Sequence, residues 1–452
     1  MKFVVLTFLF LLISPGAFSQ KKEKPQKKAV DVFNYPIKKP KVYKSYKLKN
    51  FRIKGFKRTK DHIIARELEL KKGDIFSKLD LNLGYRRLEN AQIFYDLKIS
   101  AFGKNDEKTI EVSGKDRWTT IPILKFSSGG GVNQLIAGLY DPNIFGRFFE
   151  LGGQYERLGD ANSFVFWYKR PWIFGQRLFT DVQYWNINRV RTNYNVESDK
   201  LEEVNGFVLE RQKFFLGLTK EISLNFKVGL TFDFQMDNFS EALLTDEIKF
   251  LNRQTNFTID PTQTLLLGAN VELGNIQFSQ DYLVDGSVLK LEHRRGISVD
   301  GSSRMFHDNL LAIKYFKTLA FKSTVAFRGL LGSTNTEKFQ YRYFLGGFDR
   351  VRGFVDNRLS ARNYWLTNVE FRIPAFQNSW VVVQPTAFAD ISTISENFDS
   401  TLYSEISAGS VGGGARVIFP KIYRLVARFD YAYTFSGRKG EAPISFGVQQ
   451  FF

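Results

Sequence analysis

The stretch RLVARFDYAYTF, residues 424–435, alternates with a period of two. Leu425, Ala427, Phe429, Tyr431, Tyr433 and Phe435 share one side, and Arg424, Arg428, Asp430 and Thr434 share the other. A β-strand sends successive side chains to opposite faces, so this is a strand with one aromatic, apolar face and one charged face. Ala320 to Leu331 repeats the pattern, with Phe321, Val325 and Phe327 opposing Lys322, Thr324 and Arg328. Apolar outward against lipid and charged inward against water is what the wall of a transmembrane barrel requires, because backbone groups in hydrocarbon are all paired only within a closed sheet. A soluble β-sandwich also alternates. Full charges within long strands, aromatics at strand ends and an alternating last segment, Ile444 to Phe452, count against it.

Working outward, no segment after the first twenty residues approaches 18 consecutive apolar positions, which excludes membrane-spanning helices and leaves the sheet. Met1 to Gln20 holds Lys2, an apolar run from Phe3 to Ile13 and the small-x-small site Ala17-Phe18-Ser19. This is expected to be a cleaved export signal over 1–19, too short for a helical span. Residues 20–45 form a lysine- and proline-rich tether. Eleven lysines between 21 and 49, against Glu23 and Asp31, supply half of the chain's +18 excess. That charge suits an anionic envelope surface, and export removes nucleic acid as a partner.

The chain has no cysteine and three histidines, His62, His293 and His307, far apart in sequence. Neither a disulfide scaffold nor a metal centre is expected, and no cofactor. No Gly-x-Ser-x-Gly, His-Glu-x-x-His or phosphate-binding glycine loop occurs, so the chain is not expected to be an enzyme.

Residues 46–114 read as a small α+β domain. Tyr46 to Phe56 is a strand, and Thr59 is placed to cap a short helix carrying Ile63, Ile64 and Leu68. Ser77 is placed to cap a second helix with Leu81, Tyr85 and Leu88 on one face. Phe94 to Phe102 and Thr109 to Val112 make a hairpin about Asn105-Asp106. So small a core is expected to dock near the larger domain, and an exposed edge strand there can accept an extended polypeptide. Residues 115–452 are assigned to the barrel.

Phe344 to Phe354 reads FLGGFDRVRGF, and here the sequence resembles the BamA-type superfamily of outer-membrane assembly factors and polypeptide transporters. Val351-Arg352-Gly353-Phe354 is similar to the family's loop motif, which folds into the barrel lumen and packs its arginine on the inner wall. Further similar segments follow in the expected order: Asp141 to Arg147 (DPNIFGR), Asn368 to Arg372, Phe388-Ala389-Asp390 and Asp430 to Tyr433. The 46–114 unit resembles one POTRA domain, the family's periplasmic module. The resemblance implies a 16-stranded antiparallel barrel; twelve or fourteen strands also fit the length. It further implies that Arg352 pairs with Glu370 and Asp390 on adjacent inner-wall strands. Alternation agrees for Glu370, whose neighbours Val369 and Phe371 face lipid, while for Asp390 the phase is less clean because Phe388 shares its inward side. Phe446, Val448 and Phe452 look like the terminal assembly signal of outer-membrane barrels.

The function implied is insertion or translocation of polypeptides at the outer membrane of a diderm bacterium. The expected partners are the bilayer with its lipopolysaccharide, unfolded outer-membrane or secreted polypeptides, and a periplasmic protein at the POTRA-like domain. Mechanistically, the first strand near Ile121 to Phe126 and the last, Ile444 to Phe452, meet at a lateral seam flanked by Gly129-Gly130-Gly131 and interrupted by Gly447. A passive channel, a structural envelope protein or a lipid-handling barrel is the competing reading.

Overall fold

Local signals place the first elements. In the computed structural model β1 (Tyr46–Lys54), α1 (Asp61–Glu67), β2 (Ile75–Phe76), α2 (Lys78–Asn90), β3 (Phe94–Phe102) and β4 (Glu107–Asp116) make a four-stranded sheet ordered β2-β1-β4-β3. The structure describes residues 44–129, 132–194, 202–279, 282–301, 305–347, 350–355, 359–401, 406–437 and 442–448. The export signal, nearly all of the tether, Gly130, Gly131 and Phe452 lie outside the described residues. Both helices pack on the sheet through Ile64, Leu68, Phe76, Leu88, Ile110 and Val112, all buried. Ser77 opens α2 with a reciprocal capping box: its hydroxyl accepts from Leu79 N–H, and Asp80 accepts from Ser77 N–H at 2.7 Å. Asn105 adopts the left-handed conformation that the β3–β4 turn needs.

Thr59 does not cap α1. Lys60 holds the N-cap position with no side-chain bond, and the Thr59 hydroxyl donates to Asp116 instead. The same carboxylate accepts from the N–H groups of Lys57 and Arg58, both at 2.8 Å. A charged acceptor collecting the donors of a whole turn outcompetes an isolated cap.

The barrel begins with β5 (Ile121–Gly129), β6 (Val132–Asp141), β7 (Glu150–Leu158), β8 (Ala161–Arg170), β9 (Leu178–Tyr194), β10 (Glu203–Ser223) and β11 (Phe226–Ser240). After helix α3 (Asp246–Thr255) follow β12 (Thr262–Ser279), β13 (Leu283–Ser298), β14 (Phe306–Thr318) and β15 (Thr324–Thr334). The chain then leaves the wall for a short hairpin, β16 (Tyr343–Leu345) with β17 (Leu359–Ala361). It returns as β18 (Asn363–Arg372), β19 (Phe376–Gln377), β20 (Val382–Ser395), β21 (Ala408–Ile418), β22 (Val426–Gly437) and β23 (Ile444–Val448). Neighbours are antiparallel, and the ring closes with β23 beside β5. Counted with β18 and β19, which both pair β20, as one interrupted strand, the wall has sixteen strands. Among the described residues no helix is long and apolar enough to cross a membrane.

Alternation is realised as the two faces of the wall. On β22, Phe429, Tyr431, Tyr433 and Phe435 point outward and exposed, while Arg428, Asp430 and Ala432 are buried inside. The Ala320–Leu331 reading needs a correction: the strand starts at Thr324, and Ala320–Lys322 is a turn in which Phe321 and Lys322 take positive φ. Ser323 closes that turn by donating from both its N–H and its hydroxyl to Ala320 C=O, at 3.2 and 2.7 Å, which ends the alternating phase there.

The α+β domain and the barrel form one compact unit. The DPNIFGR segment is a seat for the domain: Asp141 accepts from Arg58 and, at 2.6 Å, from Thr120, and the Asn143 amide donates to Thr59 at 2.7 Å. Gly146 has φ +69, and a Cβ there would run into the Arg58 carbonyl. On another side Arg177 reaches Glu69, Glu67 at 2.8 Å and Glu221 at 3.5 Å, while Arg87 bonds Glu69 at 2.6 Å. Arg66 and Arg177 each lie 5.0 Å from the Trp172 ring centre. Burial, with repulsion from Arg177, holds the Arg87 guanidinium below its ordinary pKa.

Candidate functional site

Of FLGGFDRVRGF, Phe344 and Leu345 end β16, Phe348 and Asp349 lie outside the described residues, and the rest turns back through a Gly347 N–H to Phe354 C=O bond of 2.9 Å. Val351 and Phe354 are buried with Leu345, Leu359, Tyr364, Leu366 and Ala408, so apolar packing fixes the loop on either side of Arg352. Gly353 has φ +91, and a Cβ there would sit 3.0 Å from Thr434 Cγ2 and 3.1 Å from Ala432 Cβ. Only glycine allows the loop this close to β22 in this conformation.

Arg352 is fully enclosed. Its Nε and Nη2 donate to the two oxygens of Asp390 at 2.7 and 2.8 Å, and its N–H donates to the same carboxylate at 3.1 Å. Nη1 donates to Glu370 at 2.9 Å, and Asp430 lies 3.7 Å away. All four side chains are 0 % exposed. The guanidinium also lies 3.5 Å from the Phe388 ring centre. Phe388 does share the inward side with Asp390, and the ring occupies it as a platform beneath the arginine.

Three participants escaped the sequence reading. Arg416 bridges Glu370 and Asp430 at 2.8 and 2.7 Å, Arg372 donates to Glu370 at 2.8 Å, and Asn368 donates to Asp390 at 2.8 Å and to Arg350 C=O at 2.9 Å. Inward phase marks each as lumenal. What brings them together is register, with Asn368 opposite Asp390, Glu370 opposite Phe388 and Gly414 opposite Asp430. Burying a charge is tolerable only with this degree of pairing. The loop thereby ties β18, β20, β21 and β22. Its backbone extends the tie to the end of the chain: Ala442 N–H donates to Gly353 C=O at 3.3 Å, two residues before β23.

At the ends of the barrel, Phe446 is outward and exposed, as is Val448, on a strand whose ladder to β22 runs from Ala427↔Val448 to Tyr431↔Ile444. On its other side β23 neighbours β5, which closes the ring. Between the loop and the α+β domain the lumen encloses a chamber of ≈ 2570 Å³, with Tyr85, Glu89 and Arg117 at one end and Arg350 and Phe354 at the other.

No curated protein matches the chain. Among solved structures it is similar to BamA from Haemophilus ducreyi lacking POTRA domains 1–3, at 16 % identity and TM-score 0.53, covering 89 % of this chain and 84 % of that one. It is similar to CdiB from Escherichia coli at 14 % identity and TM-score 0.61, covering 89 % and 75 %. CdiB from Acinetobacter baumannii gives 15 %, 0.56, 89 % and 73 %. At these identities the likeness speaks for the fold. Residues 46–113 match the POTRA surface antigen variable number repeat, and residues 143–452 match the Omp85 superfamily domain. With that match running over more than half of the sequence, from the domain's seat through the Arg352 loop to the last strand, the chain belongs to the Omp85 superfamily.

Proposed function

We propose that this protein inserts or translocates polypeptides at the outer membrane of a diderm bacterium, without enzymatic chemistry. Residues 1–19 are removed on export, 20–45 tether, 46–114 form the periplasmic domain and 115–452 the membrane barrel. The observation that carries the reading is the Arg352 loop. It braces β18 to β22 from inside and reaches Ala442, two residues before the short last strand, so the loop sits against the place where the ring closes. Opening of the five-residue strand β23 from β5 would leave a backbone edge that templates an incoming strand. Val351, Arg352, Gly353 and Phe354 hold that geometry with Glu370 and Asp390, and Phe446, Val448 and Phe452 serve the protein's own assembly. Superfamily membership supports this class of activity.

Reconstituted into liposomes, the protein is expected to accelerate folding of an added unfolded porin, and Arg352→Ala is expected to abolish the acceleration. Equal porin folding with and without the protein overturns the reading. The enclosed chamber favours a second reading, a passive channel or lipid-handling barrel. A steady single-channel conductance, together with an outer-membrane proteome unchanged by depletion, selects it.

A further inference from the structure

Two of the chain's three histidines meet on the outer wall. His293 on β13 and His307 on β14 stack with ring centres 5.3 Å apart and planes at 27°, and His293 Nδ1 is 2.7 Å from Asn309 Oδ1. Register puts His293 opposite Asn309 and Arg295 opposite His307, and all four side chains are exposed. They continue the faces that carry Leu291, Ile313 and Tyr315 outward. The nearest carboxylates on these strands turn the other way, with Asp308 paired to Arg294 inside. The outward surface here is therefore donor-rich and free of acidic side chains along both strands from 287 to 297 and from 307 to 317.

Height on the barrel gives the cluster its meaning. The POTRA domain marks the periplasmic end, where Phe278 N–H at the β12–β13 turn donates to Asn90 at 3.3 Å. From Leu283, His293 lies ten residues up β13. At about 3.4 Å per residue and a tilt of about 40°, that is roughly 26 Å along the membrane normal, against an apolar band of about 25 Å. A rise of that size from the periplasmic end is comparable with the thickness of the apolar band, which sets the two imidazoles, the guanidinium and the Asn309 amide toward its far side. Apolar residues continue beneath them for acyl chains.

We propose that His293, Arg295, His307 and Asn309 form a binding site for the phosphate of an outer-leaflet lipid headgroup, with the acyl chains on the Leu291, Ile313 and Tyr315 surface. Arg295 supplies charge-assisted bonds to the phosphate oxygens, and the stacked imidazoles with the Asn309 amide form the polar wall beside it. This rests on the outer-membrane reading above.

The test uses the full-length mature protein in phosphatidylcholine nanodiscs doped with diphosphorylated lipid A or with its dephosphorylated form, with retained lipid counted by native mass spectrometry. Wild type is expected to retain the phosphorylated lipid about tenfold more strongly, as one charge-assisted contact provides. Arg295→Gln and His293→Gln/His307→Gln, both outward substitutions, are expected to erase the preference while leaving heat-modified gel mobility unchanged. Equal preference in wild type and variants overturns the site, as does competition by inorganic phosphate at matched concentration, which marks a soluble-anion site. Failure of the wild type to enter any nanodisc strikes the membrane reading itself.

Discussion

Two of the arginine–carboxylate clusters, one around Arg352 and one around Arg177, are built from similar parts. Around Arg352 every charged group is enclosed, and the bonds are bidentate and fixed by strand register. Around Arg177 the guanidinium side chain is 14 % exposed and is divided among Glu67, Glu69 and Glu221, with Arg66 and Arg87 crowding the same space. The first joins strands of one sheet to their own loop. The second joins the α+β domain to the barrel, whose Ile121 and Tyr423 also enter the domain's apolar core. Enclosed charges are costly to leave unpaired, whereas in the second cluster Glu69 is partly open to water and Glu67 keeps Arg66, so the two clusters differ in what their loss does.

The comparison breaks most visibly at Arg352→Ala. Buried Asp390 then loses its main partner and Glu370 one of its three arginines, and a loss of about 3–5 kcal/mol is expected. A lower temperature of band conversion on unboiled gels checks it; unchanged conversion sinks the bracing role. Gly353→Val keeps the charges but places a branched side chain at positive φ against Thr434 and Ala432. It is expected to cost about 1–3 kcal/mol and to expose the loop to trypsin at Arg350 and Arg352. Arg177→Ala is expected to leave barrel stability nearly intact and to loosen the POTRA domain by about 1 kcal/mol. Faster amide exchange in α1 and α2 reports it, and raising salt from about 0.1 to about 1 M should mimic it in wild type but not reproduce Arg352→Ala. The smallest effect is expected for Tyr433→Leu, lipid-facing and 65 % exposed, within about 0.5 kcal/mol on the same gel.

Much of this was legible in order along the chain. The alternation in 424–435 announced both faces of β22, Ser77 announced the start of α2, and Asn105 the β3–β4 turn. Where competition was non-local the reading slipped: Asp116, nearly sixty residues away, drew Thr59 off its cap. Phe388 looked like a fault in phase and is instead the surface under the guanidinium. Arg372 stood in the Asn368 to Arg372 segment without a role of its own, Arg416 was visible only as a charge on an inward position, and His293 and His307 only as two distant histidines.

The amino-acid order by itself determined the alternating faces of β22, the start of α2 and the β3–β4 turn, because these depend on side-chain periodicity and on neighbours a few residues apart. The folded ring alone decided which carboxylates meet that arginine, which histidines stack and where the POTRA domain sits. Cross-strand register and closure join residues tens to hundreds of positions apart, and no local preference encodes those distances.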